Sequence, residues 1–112
     1  MLALILAMAL QPFPNIEGRC SYGEITQSGP VVTISGGQSW SARGSFQADG
    51  KLQLIWRHES DRLAFGVYEL KDGILVGQWG WQDEANLERD GTLTGKTMPE
   101  AIWRHNEEPP QF

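Results

Sequence analysis

The sequence predicts an all-β domain: an antiparallel up-and-down barrel of about eight short strands, with a two-sheet β-sandwich as the alternative. Three observations carry this expectation. Trp40, Ala42, Gly44, Phe46 and Ala48 alternate with Ser41, Arg43, Ser45 and Gln47, a strict period of two. Turn dipeptides, Asp49-Gly50 and Asp72-Gly73 foremost, punctuate the chain at the spacing typical of all-β folds. No stretch offers the long amphipathic helix that a parallel crossover needs. A meander of this kind closes on itself to remove its edges. Eight strands leave an interior just wide enough for side chains or one small ligand.

Taken in order, residues 1–10 form a continuous apolar run that stops at Gln11-Pro12. A ten-residue helix is roughly 15 Å long, about half a bilayer core, so the run does not make a membrane span. It reads as the apolar region of a secretory signal, with Ala7-Met8-Ala9 as a small-x-small cleavage site, although no Lys or Arg precedes it. The alternative is a short core element at the domain edge. Export makes the domain, residues 16–105, secreted or periplasmic. Cys20 to Tyr22 and Val31 to Ile34 read as opening strands, the second bracketed by Gly29-Pro30 and Gly36-Gly37. Residues 40–48 and 51–58 form a hairpin about Asp49-Gly50, with Leu52, Leu54, Trp56 and His58 on one face. Residues 63–70 and 74–81 form a second hairpin about Asp72-Gly73. Asp83 to Gly91 is polar, a long loop or a ragged hairpin. Thr92 to Met98 reads as a strand that Pro99 breaks, and Ala101 to His105 as the last. Residues 106–112, with Pro109-Pro110, form a solvated tail.

Composition narrows the function classes. Nine Lys plus Arg face fourteen Asp plus Glu, for a net charge of −5, which argues against nucleic acid as a partner. A single cysteine rules out an internal disulfide; Cys20 is either a buried small hydrophobe or a link between chains. There is no Gly-x-Ser-x-Gly, phosphate loop, Cys-x-x-Cys or His-Glu-x-x-His, and no cofactor is called for.

Two internal echoes stand out. Gly44-x-Phe46, Asp49-Gly50, Leu52 and Trp56 recur as Gly66-x-Tyr68, Asp72-Gly73, Leu75 and Trp79, with one residue inserted. Ile55-Trp56-Arg57-His58 recurs as Ile102-Trp103-Arg104-His105. The Gly-x-Phe/Tyr, Asp-Gly-x-Leu and Trp pattern resembles small exported β-barrels of the calycin type, the lipocalin and avidin-like architectures. It is also similar to bacterial secreted β domains with an Asp-Gly-Thr-Leu-x-Gly landmark, here Asp90 to Gly95. The resemblance covers residues 16–105 and implies a barrel with a ligand site. The lipocalin Gly-x-Trp is absent, Gly18 being followed by Arg19 and Cys20, so no family site residue carries over.

Counting strands gives a candidate site. Those ending at Ile34, His58, Trp81 and His105 are the second, fourth, sixth and eighth, so their ends meet at one mouth. With the tryptophans inward, Trp56, His58, Trp79, Trp81, Trp103 and His105 line that mouth, and acidic loops rim it. Aromatic walls with a few polar groups suit a small, partly apolar ligand. The plainer reading makes the tryptophans core and the histidines solvated. His58 and His105, with a loop carboxylate, are weak metal candidates of the ligand types zinc takes. Arg57 and Arg104 are expected to point outward, pairing with Glu69 or Glu100. The leading expectation is a non-catalytic binding module, for that small ligand or for a protein partner docked on loops. A filled barrel acting structurally or as an inhibitor through its outer surface is the alternative, and a metal-dependent or hydrolytic enzyme the third class.

Overall fold

The computed structural model describes residues 13–104. Ten strands follow one another: β1 Gly18–Cys20, β2 Gly23–Ser28, β3 Val31–Gly36, β4 Trp40–Phe46, β5 Leu52–His58, β6 Leu63–Lys71, β7 Ile74–Trp81, β8 Ala85–Leu87, β9 Leu93–Gly95 and β10 Met98–Ile102. Eight form one sheet in the order β1-β2-β3-β4-β5-β6-β7-β10, every neighbour antiparallel. This sheet curls into a half-barrel. Among the described residues, one bridge pair, Cys20 at the end of β1 with Arg104 just past β10, joins its two outer edges. The remaining pair, β8 and β9, is a separate hairpin. No helix among the described residues is long and apolar enough to cross a membrane.

The turns follow their residue chemistry. Asp72 and Gly73 both take positive φ, 52° and 81°, and close a two-residue loop between the paired Lys71 and Ile74. The earlier turn is one residue longer. Gln47 N–H donates to the Lys51 carbonyl at 2.8 Å and Gly50 N–H to the Gln47 carbonyl at 2.9 Å, with Gly50 at φ 86°. That is the three-residue hairpin in which a left-handed glycine follows the turn. The residue inserted in the first echo falls in the second unit, whose loop is the shorter, so it lies in the longer strand β6 and not in the turn. The three-residue loop recurs between β8 and β9, where Glu88 N–H donates to Thr92 and Gly91 sits at φ 89°. The polar stretch from Asp83 to Gly91 is therefore a hairpin arm and its turn.

Two departures from the expected strand plan change which ends meet. Gly23–Ser28 is a strand, turning at Gly29-Pro30 to pair with β3, and Tyr22 sits in the turn before it. Further on, Thr92 to Met98 does not enter the sheet as a single strand. Its first part pairs with β8 outside the sheet, so β10 lies directly beside β7, Met98 opposite Trp79 and Ile102 opposite Leu75. β10 therefore runs against β5 and β7 rather than with them. Pro99 lies within β10, opposite Gln78. A proline is tolerated there because β10 has a neighbour along only one of its edges, apart from the Cys20–Arg104 bridge.

The inward faces build one core. Ile25, Val32, Ile34, Leu52, Leu54, Leu75 and Ile102 are all buried, together with Ile16, Cys20 and Phe46. The segment before β1 closes the end of the half-barrel away from Trp40. Phe13 stacks on Phe46 at 6.2 Å, and Ile16 N–H donates to Gln27 Oε1 at 2.9 Å. Gly44 and Gly77 lie so close to the next strand that a Cβ would come within 2 Å of a backbone carbonyl oxygen, 1.7 Å at Gly44 and 1.9 Å at Gly77. Only a residue without a Cβ lets the neighbouring strand come this close.

Candidate functional site

Opposite that filled end, the half-barrel carries its indoles. Register explains how so many rings fit. Trp56 in β5 lies between Ala42 and Ala64, Trp81 faces Ala64, and Trp79 faces Gly66. Each large ring meets a small neighbour across the ladder, so the indoles can lie over the sheet without collision. Trp40, at the start of β4, becomes the hub. It stacks on Trp81 at 5.4 Å and 29°, and meets Trp79 at 5.9 Å, Trp56 at 6.1 Å and His58 at 4.7 Å edge-on. Tyr22 closes the far side, 4.8 Å from Trp56.

A polar chain runs beneath these rings. Trp56 Nε1–H donates to the Tyr68 hydroxyl at 2.9 Å, and that hydroxyl donates to Glu100 Oε1 at 2.7 Å. The Tyr22 hydroxyl donates to the other carboxylate oxygen, Oε2. Glu100 projects inward because it shares the face of β10 that carries buried Ile102, and it sits opposite Gly77. The same bonds tie β10 to the β1–β2 turn, next to the seam where the sheet is joined by one bridge. Burial raises the pKa of both phenols well above the ordinary tyrosine value, and the Glu100 carboxylate raises them further. Both hydroxyls therefore stay protonated and act as donors. Gly66 makes the arrangement possible: a Cβ there would lie 2.5 Å from the Tyr68 ring and hydroxyl and 2.8 Å from Trp56 Nε1.

Between the rings and the carboxylate lies a cavity of about 170 Å³, lined by Tyr22, Trp40, Trp56, Trp79 and Glu100. That is comparable to the roughly 150 Å³ cavity known to accept benzene. No protein-family model, curated protein or solved structure matches the chain.

The expected site residues divide. Trp56 and Trp79 line the cavity. Trp81 and His58 are brought to the same cluster but stand behind Trp40, outside the lining. The outer side of Trp81 is covered by Arg62, whose guanidinium carbon lies 3.9 Å from the ring centroid. Asp83 at 2.9 Å and Glu84 at 3.0 Å hold that guanidinium, and its hydrogen bond lowers the Asp83 pKa below the usual carboxylate value. Trp103 is not brought to the site. It follows the Ile102–Leu75 pair at the start of β7, whereas Trp79 and Trp81 close the other end of that strand. It also alternates to the opposite face, because Ile102 is the inward residue at 1% exposure. The repeated tetrapeptide is thus used in two opposite registers, since in β5 Trp56 is inward at 2% and Ile55 outward at 51%. His105 lies outside the described residues.

Other expectations resolve as follows. His58 Nδ1 is 2.8 Å from the Ser60 hydroxyl, and among the described residues no three His, Cys, Asp or Glu side chains cluster as metal ligands. Arg57 does point outward but pairs with Asp61 at 2.9 Å, and Glu69 is paired with Lys71 at 3.9 Å. Glu100 belongs to the interior network, and Arg104 is half-buried beside the Cys20 bridge. Cys20 is buried, and burial raises its thiol pKa, which makes it a poor nucleophile.

Sequence reasoning missed Tyr22, Trp40, Tyr68 and Glu100 as site residues. A signal existed for three of them. Trp40 shares the inward parity of Ala42. Tyr68 is the single polar change where the first hairpin unit has Phe46. Glu100 is two residues from Ile102, the spacing of one strand face. Nothing local marks Tyr22, which reaches Glu100 from a turn.

Proposed function

We propose that this domain is a non-catalytic binding module that takes one small, partly apolar ligand in the aromatic cavity. The observation that carries the reading is the contrast between the two ends of the interior. One is filled by aliphatic side chains and sealed by Phe13 and Ile16, while the other keeps a benzene-sized space among Trp40, Trp56, Trp79 and Tyr22. Such walls, with one polar group that fixes orientation, are the usual make-up of small-ligand sites. Tyr22, Tyr68 and Glu100 are absorbed in mutual hydrogen bonds and have no histidine among those partners. The sequence resemblance to calycin-type barrels supports the same use. With residues 1–10 acting as an export signal, the module works outside the cytoplasm.

The test is native mass spectrometry of the protein recovered from its own host. A mature mass lacking residues 1–9 supports export, and full length overturns it. A bound small-molecule mass, lost when Trp79 is replaced by alanine, supports the cavity. A clean apo protein whose tryptophan fluorescence ignores every small apolar probe favours action through the outer surface instead.

A further inference from the structure

We infer that the ligand group taken by this cavity is a small organic ammonium ion, best a quaternary or fully methylated one; the inference rests on the binding-module reading above. Three observations lead to it. Among the described residues, Glu100 is the only acidic group of the lining and no ion pair engages it. Its charge is held by two phenol hydroxyls, which supply hydrogen bonds but no countercharge. The rest of the lining is four aromatic rings, those of Tyr22, Trp40, Trp56 and Trp79.

Each feature disfavours other ligand classes. An anion would meet the Glu100 carboxylate at short range, where like charges repel. A purely apolar guest would fill the volume while leaving that carboxylate without a countercharge, desolvated further than in the empty site. An organic cation answers both requirements, since ring faces attract it and the carboxylate pairs with it at short range. The hydrogen-bond inventory favours the methylated form. Each oxygen of Glu100 already accepts one phenol hydrogen bond and keeps one further lone pair, and the lining indoles add no acceptor: the Trp56 N–H is committed to Tyr68, and those of Trp40 and Trp79 are donors. A primary ammonium must find acceptors for three N–H groups. A quaternary ammonium has none to satisfy, and its methyl groups can lie against the indoles.

The test compares two probes of nearly equal shape, tetramethylammonium chloride and tert-butyl alcohol, each titrated into the folded protein at constant ionic strength. Binding is read from the indole N–H resonances. The cation is expected to shift the Trp40, Trp56 and Trp79 signals saturably, with an affinity at least about tenfold above that of the alcohol. Glu100→Gln should remove most of that advantage when cation and alcohol are compared on the same variant, whose dispersed indole N–H resonances report that it is still folded. Equal affinities for the two probes, or a Glu100→Gln protein that binds the cation as well as the parent, overturn the ammonium assignment and leave the binding module standing. Should neither probe move the cavity indoles, both readings fail. If Glu100→Gln does not fold, the comparison of the two probes on the parent protein decides the matter alone.

Discussion

The Tyr68 hydroxyl is the node through which Trp56 and Glu100 are joined, and removing it is the sharpest test of the site's internal logic. Tyr68→Phe keeps the ring, 1% exposed, and deletes one oxygen. Two bonds are lost together. Trp56 Nε1–H loses its acceptor within a residue only 2% exposed. Leaving a buried donor unsatisfied costs about 1–3 kcal/mol. Glu100 loses a charge-assisted donor, worth about 1.5–3 kcal/mol. The two losses share one atom and are not additive, and Glu100 keeps its bond from Tyr22. The expected destabilisation is about 2–4 kcal/mol, against a total of roughly 5–15 for a domain of this kind. Urea unfolding followed by tryptophan fluorescence measures it. With a slope of about 1.5 kcal/mol/M, the midpoint falls by roughly 1.3–2.7 M. Tyr22→Phe removes one bond from a partly buried ring and should cost about 1 kcal/mol. A Tyr68→Phe midpoint within about 0.3 M of the parent, or one less affected than Tyr22→Phe, would refute the argument that this hydroxyl holds the network together.

Three more outcomes are expected. The chain has two tyrosines, Tyr22 and Tyr68, and both hold their protons more tightly folded than unfolded. The stability this confers is complete below about pH 10, the unfolded tyrosine pKa, and is lost as pH rises above it, by up to about 1.4 kcal/mol per pH unit for Tyr68. Tyrosinate absorbance should therefore appear only together with unfolding; normal titration of either phenol in the native state refutes the network. Gly66→Ala places a methyl group against Tyr68 and Trp56, and should cost about 1–3 kcal/mol in urea unfolding and shift the Trp56 indole N–H resonance. Trp79→Ala should weaken binding of a cavity probe by about tenfold or more, whereas Trp103→Ala should leave it within about twofold, as read by the same titration; equal effects would place Trp103 in the site.

Much of the fold was legible because a strand's period and its turn residues are local properties. The alternation from Trp40 to Phe46 and the left-handed glycines at Gly50 and Gly73 identify two hairpins without reference to anything distant. Inward parity followed for Trp56 and Trp79. The same local information misassigned Trp103, because Ile-Trp-Arg-His carries no mark of which parity faces inward. It also missed β2, where Thr26 and Gln27 blur the alternation, and it took Pro99 for a break although one edge of β10 faces few partners.

By itself, the sequence determined the chemistry and the local geometry of this protein: an all-β antiparallel chain, acidic, rich in tryptophan, with hairpins turning at Asp-Gly. The tertiary structure alone decided which ends meet. That choice depends on β8 and β9 leaving the sheet, which sets β10 against β7 and turns Glu100 inward toward two tyrosines, one 32 residues away in sequence and the other 78. Register between distant strands is set by the summed burial of whole faces. No single motif encodes it, and the cavity with its carboxylate exists only once those faces have closed on one another.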